Sequence, residues 1–339
     1  MAAQGQANNF DFLRFVAAIS VIIAHSVPLT GNGHDIINFL TNGQMNLGSL
    51  AVDIFFAISG YLITASYLKQ NNLTQYIIAR LLRIFPALIV FVLIMIFMIG
   101  PIISNQSILS YFSSKLTYTY LKNITLYLHQ YELTGFDALS STAERYSTNG
   151  SLWTLRVEFS LYIVVAILGY CKLLNKFTVC VIFIMSFFIT FIAKDSYLII
   201  FFNLSTIFFG GSIFYLYRKN IKFNKYPLTP ILILLGSCIL GMGLVQCVQT
   251  VGIYIIFQFA LSQDIHLHKF AKYGDFSYGI YIYGFPIQQI LIHLNNGQMS
   301  NIANFMLAVP MAIFAGFISF HIIEKPCMRL KLKFANIKK

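Results

Sequence analysis

The sequence predicts an all-α, polytopic membrane protein with about ten transmembrane helices and both termini on the cytoplasmic side. Three observations carry this expectation. Of the 339 residues, 58% are hydrophobic and only 10% are charged, where a soluble domain carries about 25% charged residues. Ten runs approach the ~20 apolar residues that a helix needs to cross a bilayer. The basic residues also gather in alternate connections between those runs, as the positive-inside rule requires.

The runs lie at about 12–29, 47–68, 77–100, 152–171, 176–193, 197–217, 228–246, 248–263, 275–294 and 302–323. The first contains no small-x-small cleavage site, so it reads as a retained span rather than a signal peptide. With the N-terminus inside, only Lys115, Lys122, Arg145, Arg156 and Lys194 face outward. The inner segments hold the other 18 of the 23 basic residues, Lys222, Lys225, Lys338 and Lys339 among them. The formal net charge of +12 is thereby explained by topology. The basic residues are interrupted by apolar runs and form no continuous face, so nucleic acid is not an expected partner.

One membrane domain, 1–335, is expected, with a basic tail at 336–339 and no appended extracytoplasmic domain. A long outer segment, about 101–151, carries Tyr111, Tyr118, Tyr120, Tyr127, Tyr131 and Tyr146. Such a set suits either an interfacial aromatic belt or a stacking surface for a sugar. Five cysteines lie in or beside apolar runs without a CxxC, and read as apolar fillers. The His266-x-His268 pair has no further ligands near it in sequence, and no metal is expected.

Ionisable groups inside a span are costly unless paired or wet, and are default functional candidates. The first span reads Asp11-Phe-Leu-Arg14, then ten residues, then His25. Eleven residues at 100° bring Arg14 and His25 within ~20° of one stripe, with His25 ~16 Å deeper. Asp11 lies one turn from Arg14 and is placed to pair with it. Arg80 and Arg83 share a face at the cytoplasmic opening of the third span, and guanidinium forks suit phosphate. The fourth span opens with Trp153, an interfacial anchor, then sets Thr154, Glu158 and Tyr162 on one stripe at i, i+4 and i+8. Glu158 lies ~7–8 Å below the outer interface, a depth that His25 also approaches from the other side. The second span carries Asp53 and the close-packing pair Ser59-Gly60.

In this order, these segments resemble the acyltransferase-3 family of membrane-bound acyltransferases. The resemblance rests on Asp11-x-x-Arg14-x10-His25, Asp53-Ile-Phe-Phe-x-x-Ser59-Gly60-Tyr61 and Arg80-x-x-Arg83. It continues through Trp153-Thr154-x-x-x-Glu158-x-x-x-Tyr162, Phe276-Ser277-Tyr278-Gly279-Ile-Tyr281 and Glu324-Lys325-Pro326. It runs from Asn9 to Arg329 and is similar in kind to stand-alone bacterial O-acetyltransferases of surface polysaccharide. Gly284 stands where many members carry a second histidine, and Thr154 stands where serine is frequent.

The resemblance implies an acyl-CoA donor, acetyl-CoA first, reached from the cytoplasm. It implies an acceptor in a surface polysaccharide, lipopolysaccharide O-antigen first, or its lipid-linked unit. The setting implied is a bacterial inner membrane, with lipids as surroundings. Peptidoglycan, macrolides and other glycolipids are further acceptors of the family. In this reading Arg14, Arg80 and Arg83 hold donor phosphates and His25 is the general base. Glu158 orients it or stabilises its imidazolium. Tyr162, Thr154 and Ser59 offer hydrogen bonds to the oxyanion, with Asp11, Asp53 and Trp153 in support. Direct transfer and an acyl-histidine relay both remain open. A solute transporter is the rival class, and it would predict repeated halves with broken helices; the sequence contains no repeat.

Overall fold

A computed structural model describes residues 8–134, 147–221, 223 and 228–336. Arg145, Tyr146, Lys222, Lys225, Lys338 and Lys339 lie outside the described residues. The described chain is helical and contains no strand.

A helix stands at each of the ten expected runs. They are α1 (Phe10–Thr30), α2 (Leu47–Gln70), α3 (Leu73–Ile103), α4 (Trp153–Tyr170) and α5 (Lys176–Ile192). Then follow α6 (Ser196–Leu216), α7 (Leu228–Leu240), α8 (Leu244–Leu261), α9 (Ser277–Leu294) and α10 (Asn301–Ser319). A π turn, Phe320–Glu324, joins α10 to a basic helix α11 (Lys325–Asn336). Among the described residues, seven helices are long and apolar enough to cross a membrane, while α5 and α7 are apolar but shorter. Helix α9 falls outside the seven because Pro286, Gln288, Gln289 and His293 dilute its apolar character. The run Asn301–Lys331 has 31 residues. At 1.5 Å each this is ~46 Å, more than the ~30 Å hydrocarbon core, so its basic end passes out of the apolar zone.

The chain forms two compact units. The first comprises Met1–Ala17, Asp35–Ile77 and Val157–Tyr273. Its central seam is α2 against α6, where two glycines let the backbones touch. A Cβ on Gly60 would fall 1.8 Å from the Phe208 carbonyl oxygen, and one on Gly211 would fall 2.0 Å from that of Ala57. Small residues serve this purpose wherever helices pack without a hydrophobic drive between them. Across the seam Thr64 Oγ1 donates to Ser212 Oγ at 2.9 Å. Asn9 fastens the start of α1 to the end of α8. Its backbone N–H donates to Ala260 O at 2.7 Å, its Nδ2 donates to Phe259 O at 3.1 Å, and its Oδ1 accepts from the Leu267 amide.

The second unit comprises Ala18–His34, Ile78–Arg156 and Gly274–Lys339. Here α9 and α10 meet at Gly279 and Gly316, where an added Cβ on Gly279 would lie 2.6 Å from the Gly316 Cα. The C-terminal half of α1 is held by Gln288 Nε2, which donates to Ile22 O at 2.8 Å and to Asn304 Oδ1 at 2.7 Å. The long segment at about 101–151 is partly helical where described, with Ile108–Ser113, Lys115–Thr119 and a 3₁₀ stretch Tyr120–Thr125. Its tyrosines divide. Tyr111 and Tyr120 are fully buried, while Tyr118, Tyr127 and Tyr131 are exposed. Tyr111 OH donates to Ile96 O at 2.9 Å, meeting a carbonyl in the π turn Met95–Ile99, where the regular ladder is interrupted.

Candidate active site

The residues singled out in the sequence fall into separate clusters within the two units. In the first unit Glu158 is the acceptor of a hydroxyl pair. Ser59 Oγ donates to its Oε1 at 2.8 Å and Tyr162 OH donates to the same oxygen at 2.5 Å. Tyr162 is one turn beyond Glu158, so helical spacing brings the two together. Its own backbone is held by Tyr76, whose OH donates to Tyr162 O at 3.0 Å. Asp53 is buried on α2, and Asp11 and Arg14 are half-buried at the start of α1.

In the second unit His25 lies on α1 with its ring edge-on to Phe285, centroids 5.0 Å apart. Its Nδ1 is buried and has no hydrogen-bond partner among the described residues. A buried polar atom normally finds a partner, so an imidazole nitrogen held ready in an apolar setting marks a place where chemistry can occur. Gly284 faces the same helix, since an added Cβ there would lie 2.7 Å from Ile22 Cγ1.

Thr154 does not join Glu158 as a hydrogen-bond donor. Its Oγ1 lies 2.6 Å from Tyr281 OH, and Tyr281 OH donates to Ser151 O at 2.9 Å. Asn149 Nδ2 donates to Ile282 O at 2.9 Å, while its Oδ1 accepts from the Ser151 amide. The segment Asn149–Thr154 is thus a polar knot that docks the start of α4 on α9. Trp153, within it, is half-buried.

Arg83 is the hub of a charge cluster in which Glu324 is buried and Asp275 is half-buried. Its Nη1 meets Glu324 Oε2 at 2.8 Å and its Nη2 meets Asp275 Oδ2 at 2.9 Å. Asp275 Oδ1 also accepts from Ser277 Oγ at 2.6 Å. The guanidinium lies 5.7 Å from the Tyr278 ring, whose OH donates to Ile84 O. Both Nη groups expected to face phosphate are therefore engaged by carboxylates. Arg80, one turn earlier, is half-buried. Sequence reading gave Asp275 no role and took Glu324-Lys325-Pro326 as a helix end, whereas the chain runs on through Lys325–Asn336; it also passed over Gln288, Gln289 and Asn304, all buried. The signal for the glutamines was present, because two amides inside an apolar run follow the same rule as intramembrane charges. Among the described residues no group of three His, Cys, Asp or Glu side chains is placed to hold a metal ion.

Among the described residues, seven helices long and apolar enough to cross a membrane mark a multi-pass membrane protein. The chain belongs to the acyltransferase-3 family: the family model described as an acyltransferase domain matches residues 8–323. It is 28% identical over 334 residues to an O-acetyl transferase of Shigella phage Sf6, covering 94% of this chain and 96% of that protein. It is also 31% identical over 172 residues to nodulation protein 10 of Rhizobium leguminosarum bv. viciae, across 49% of this chain and 45% of that protein. No solved structure matches it. The chain is accordingly an O-acyltransferase.

Proposed function

We propose that the protein is an inner-membrane O-acetyltransferase that moves an acetyl group from cytoplasmic acetyl-CoA to a sugar hydroxyl of a cell-surface polysaccharide, O-antigen foremost. The near full-length likeness to a phage O-acetyl transferase is the observation that carries this reading. The ten helices act as ten spans with both termini inside, in accord with the basic residues in alternate connections.

In the reaction, His25 takes the proton of the acceptor hydroxyl as its oxygen attacks the thioester carbonyl. The new C–O bond forms, the C–S bond breaks, and the imidazolium returns its proton to the departing thiolate. Glu158, its carboxylate fixed by Ser59 and Tyr162, is the second catalytic group. Arg14 and Arg80 meet the donor's phosphates. Arg83, tied to two carboxylates, holds Arg80's helix in place beside α9 and the π turn. Asp11, Asp53 and the Trp153–Thr154 knot support the same framework.

The test is acetyl release from acetyl-CoA by the purified chain, together with positional analysis of surface-glycan acetyl groups in cells with and without it. Acetylation that is unchanged by removing the protein, or by His25→Ala at equal expression, sinks the reading.

A further inference from the structure

Arg83 and Glu324 fix a register between α3 and the end of the last apolar run. From Glu324 the chain enters α11 without a break. Seven residues on, at Lys331, it has turned through about 700°, within ~20° of two whole turns. Lys331 is thus on the face that Glu324 presents to α3, ~10.5 Å further along. The burial pattern agrees, since Glu324 is buried and Met328 and Lys331 are half-buried, whereas Arg329 and Leu330 are exposed. On α3, Arg80 shares the face of Arg83, one turn away.

The two faces bring like charges together. Burial first, and then the Arg80 guanidinium within electrostatic reach, disfavour the charge on the Lys331 ammonium. Both residues are half-buried. Two cations on facing helix surfaces, within electrostatic reach and in partial burial, repel one another. An anion between them reverses the sign, and a phosphate suits the pair best, with a planar fork on one side and a compact ammonium on the other.

We propose that Arg80 and Lys331 form a two-cation clamp for a phosphate group, which makes the basic helix α11 part of the donor site. The inference rests on the acyl-CoA reading above for the identity of its ligand. A phosphate can also come from a lipid headgroup, so the test separates the two sources.

The full chain is placed in nanodiscs of phosphatidylcholine alone, and binding of CoA, adenosine 3′,5′-bisphosphate and pantetheine is titrated. Lys331→Gln should weaken CoA and the bisphosphate about tenfold at low salt and leave pantetheine unchanged. The loss should shrink as salt rises, and Lys331→Arg should restore binding. Lys219→Gln, which removes an exposed charge, should change nothing. Wild-type CoA affinity in Lys331→Gln overturns the clamp and leaves the acetyl-CoA reading standing. Failure of the wild-type chain to bind CoA or the bisphosphate overturns the donor reading itself. A second series in discs containing phosphatidylglycerol reads the other source. If Lys331→Gln alters only lipid retention, the phosphate it meets is a headgroup's, and the assignment of the pair to the donor site is overturned.

Discussion

Arg83 and Glu324 are 241 residues apart in the chain and 2.8 Å apart in space, and the Glu324 side chain is fully excluded from solvent. An ion pair in this setting contributes little net stability when intact, but removing one partner leaves an uncompensated buried charge, at about 3–5 kcal/mol. Arg83→Ala strands two carboxylates, Asp275 and Glu324. The expected outcome is a strong fall in the detergent-solubilised unfolding midpoint and in the yield of folded protein. The neutral pair Arg83→Met with Glu324→Gln should recover part of the loss, and Arg83→Ala matching the wild type in thermal stability would count against the hub.

Glu158 gathers two hydroxyl donors on one oxygen. Ser59→Ala and Tyr162→Phe each remove one hydrogen bond to a charged acceptor, an interaction of roughly 1.5–3 kcal/mol. Each should slow acetyl transfer about tenfold or more while leaving CoA binding intact. Because both donors serve the same oxygen, the double variant should lose less than the product of the two single losses. Strict multiplicativity in a double-mutant cycle would separate their roles.

His25→Ala should lower turnover by about 10²–10⁴, the usual contribution of a general base. Donor affinity should be retained, because the phosphates are assigned elsewhere. Parallel measurements of CoA binding and acetyl transfer check both halves. Loss of binding together with rate would point to a structural part for the histidine.

Two glycines offer a matched comparison of stability. Gly60→Ala places a Cβ 1.8 Å from the Phe208 carbonyl oxygen, whereas Gly236→Ala on α7 meets nothing within 4 Å. The first should abolish or sharply reduce folded protein. The second should be neutral or stabilising by up to ~1 kcal/mol, the helix-propensity difference between the two residues. Thermal midpoints of the two variants in one detergent decide the matter.

A pH effect is expected from His129, in the segment between α3 and α4. Burial, and then the Arg156 charge, hold its pKa below the ordinary histidine value. The unfolded chain therefore takes up this proton first, and the unfolded state gains as pH falls below about 6.5. At neutral pH the residue is uncharged in both states and exerts no such effect. His129→Gln should flatten the acid-side decline in unfolding midpoint between pH 7.5 and 5, with the curves converging at the upper end.

The helices were legible because each apolar run is a local property of the chain, and hydrocarbon demands the same length everywhere. The contact of Glu158 with Tyr162 was legible for the same reason, since a four-residue spacing is set by the helix itself. Ser59 with Glu158, and Arg83 with Asp275 and Glu324, were not. Their spacings are 99, 192 and 241 residues, and nothing local in an Arg-x-x-Arg pair says which arginine meets carboxylates. The π turns were hidden as well, because the same apolar residues serve a regular helix or one with an extra residue.

Gly284 and Ile22 share one parcel of volume. The Ile22 side chain already fills the space that any residue larger than glycine at 284 would claim. A histidine there, which the resemblance leads one to expect, would have to be admitted by shrinking position 22, one turn of α1 from His25. Whether this enzyme works with one imidazole or two at that level is thus a question of trading bulk between two helices, and a Gly284→His graft is best made together with Ile22→Ala.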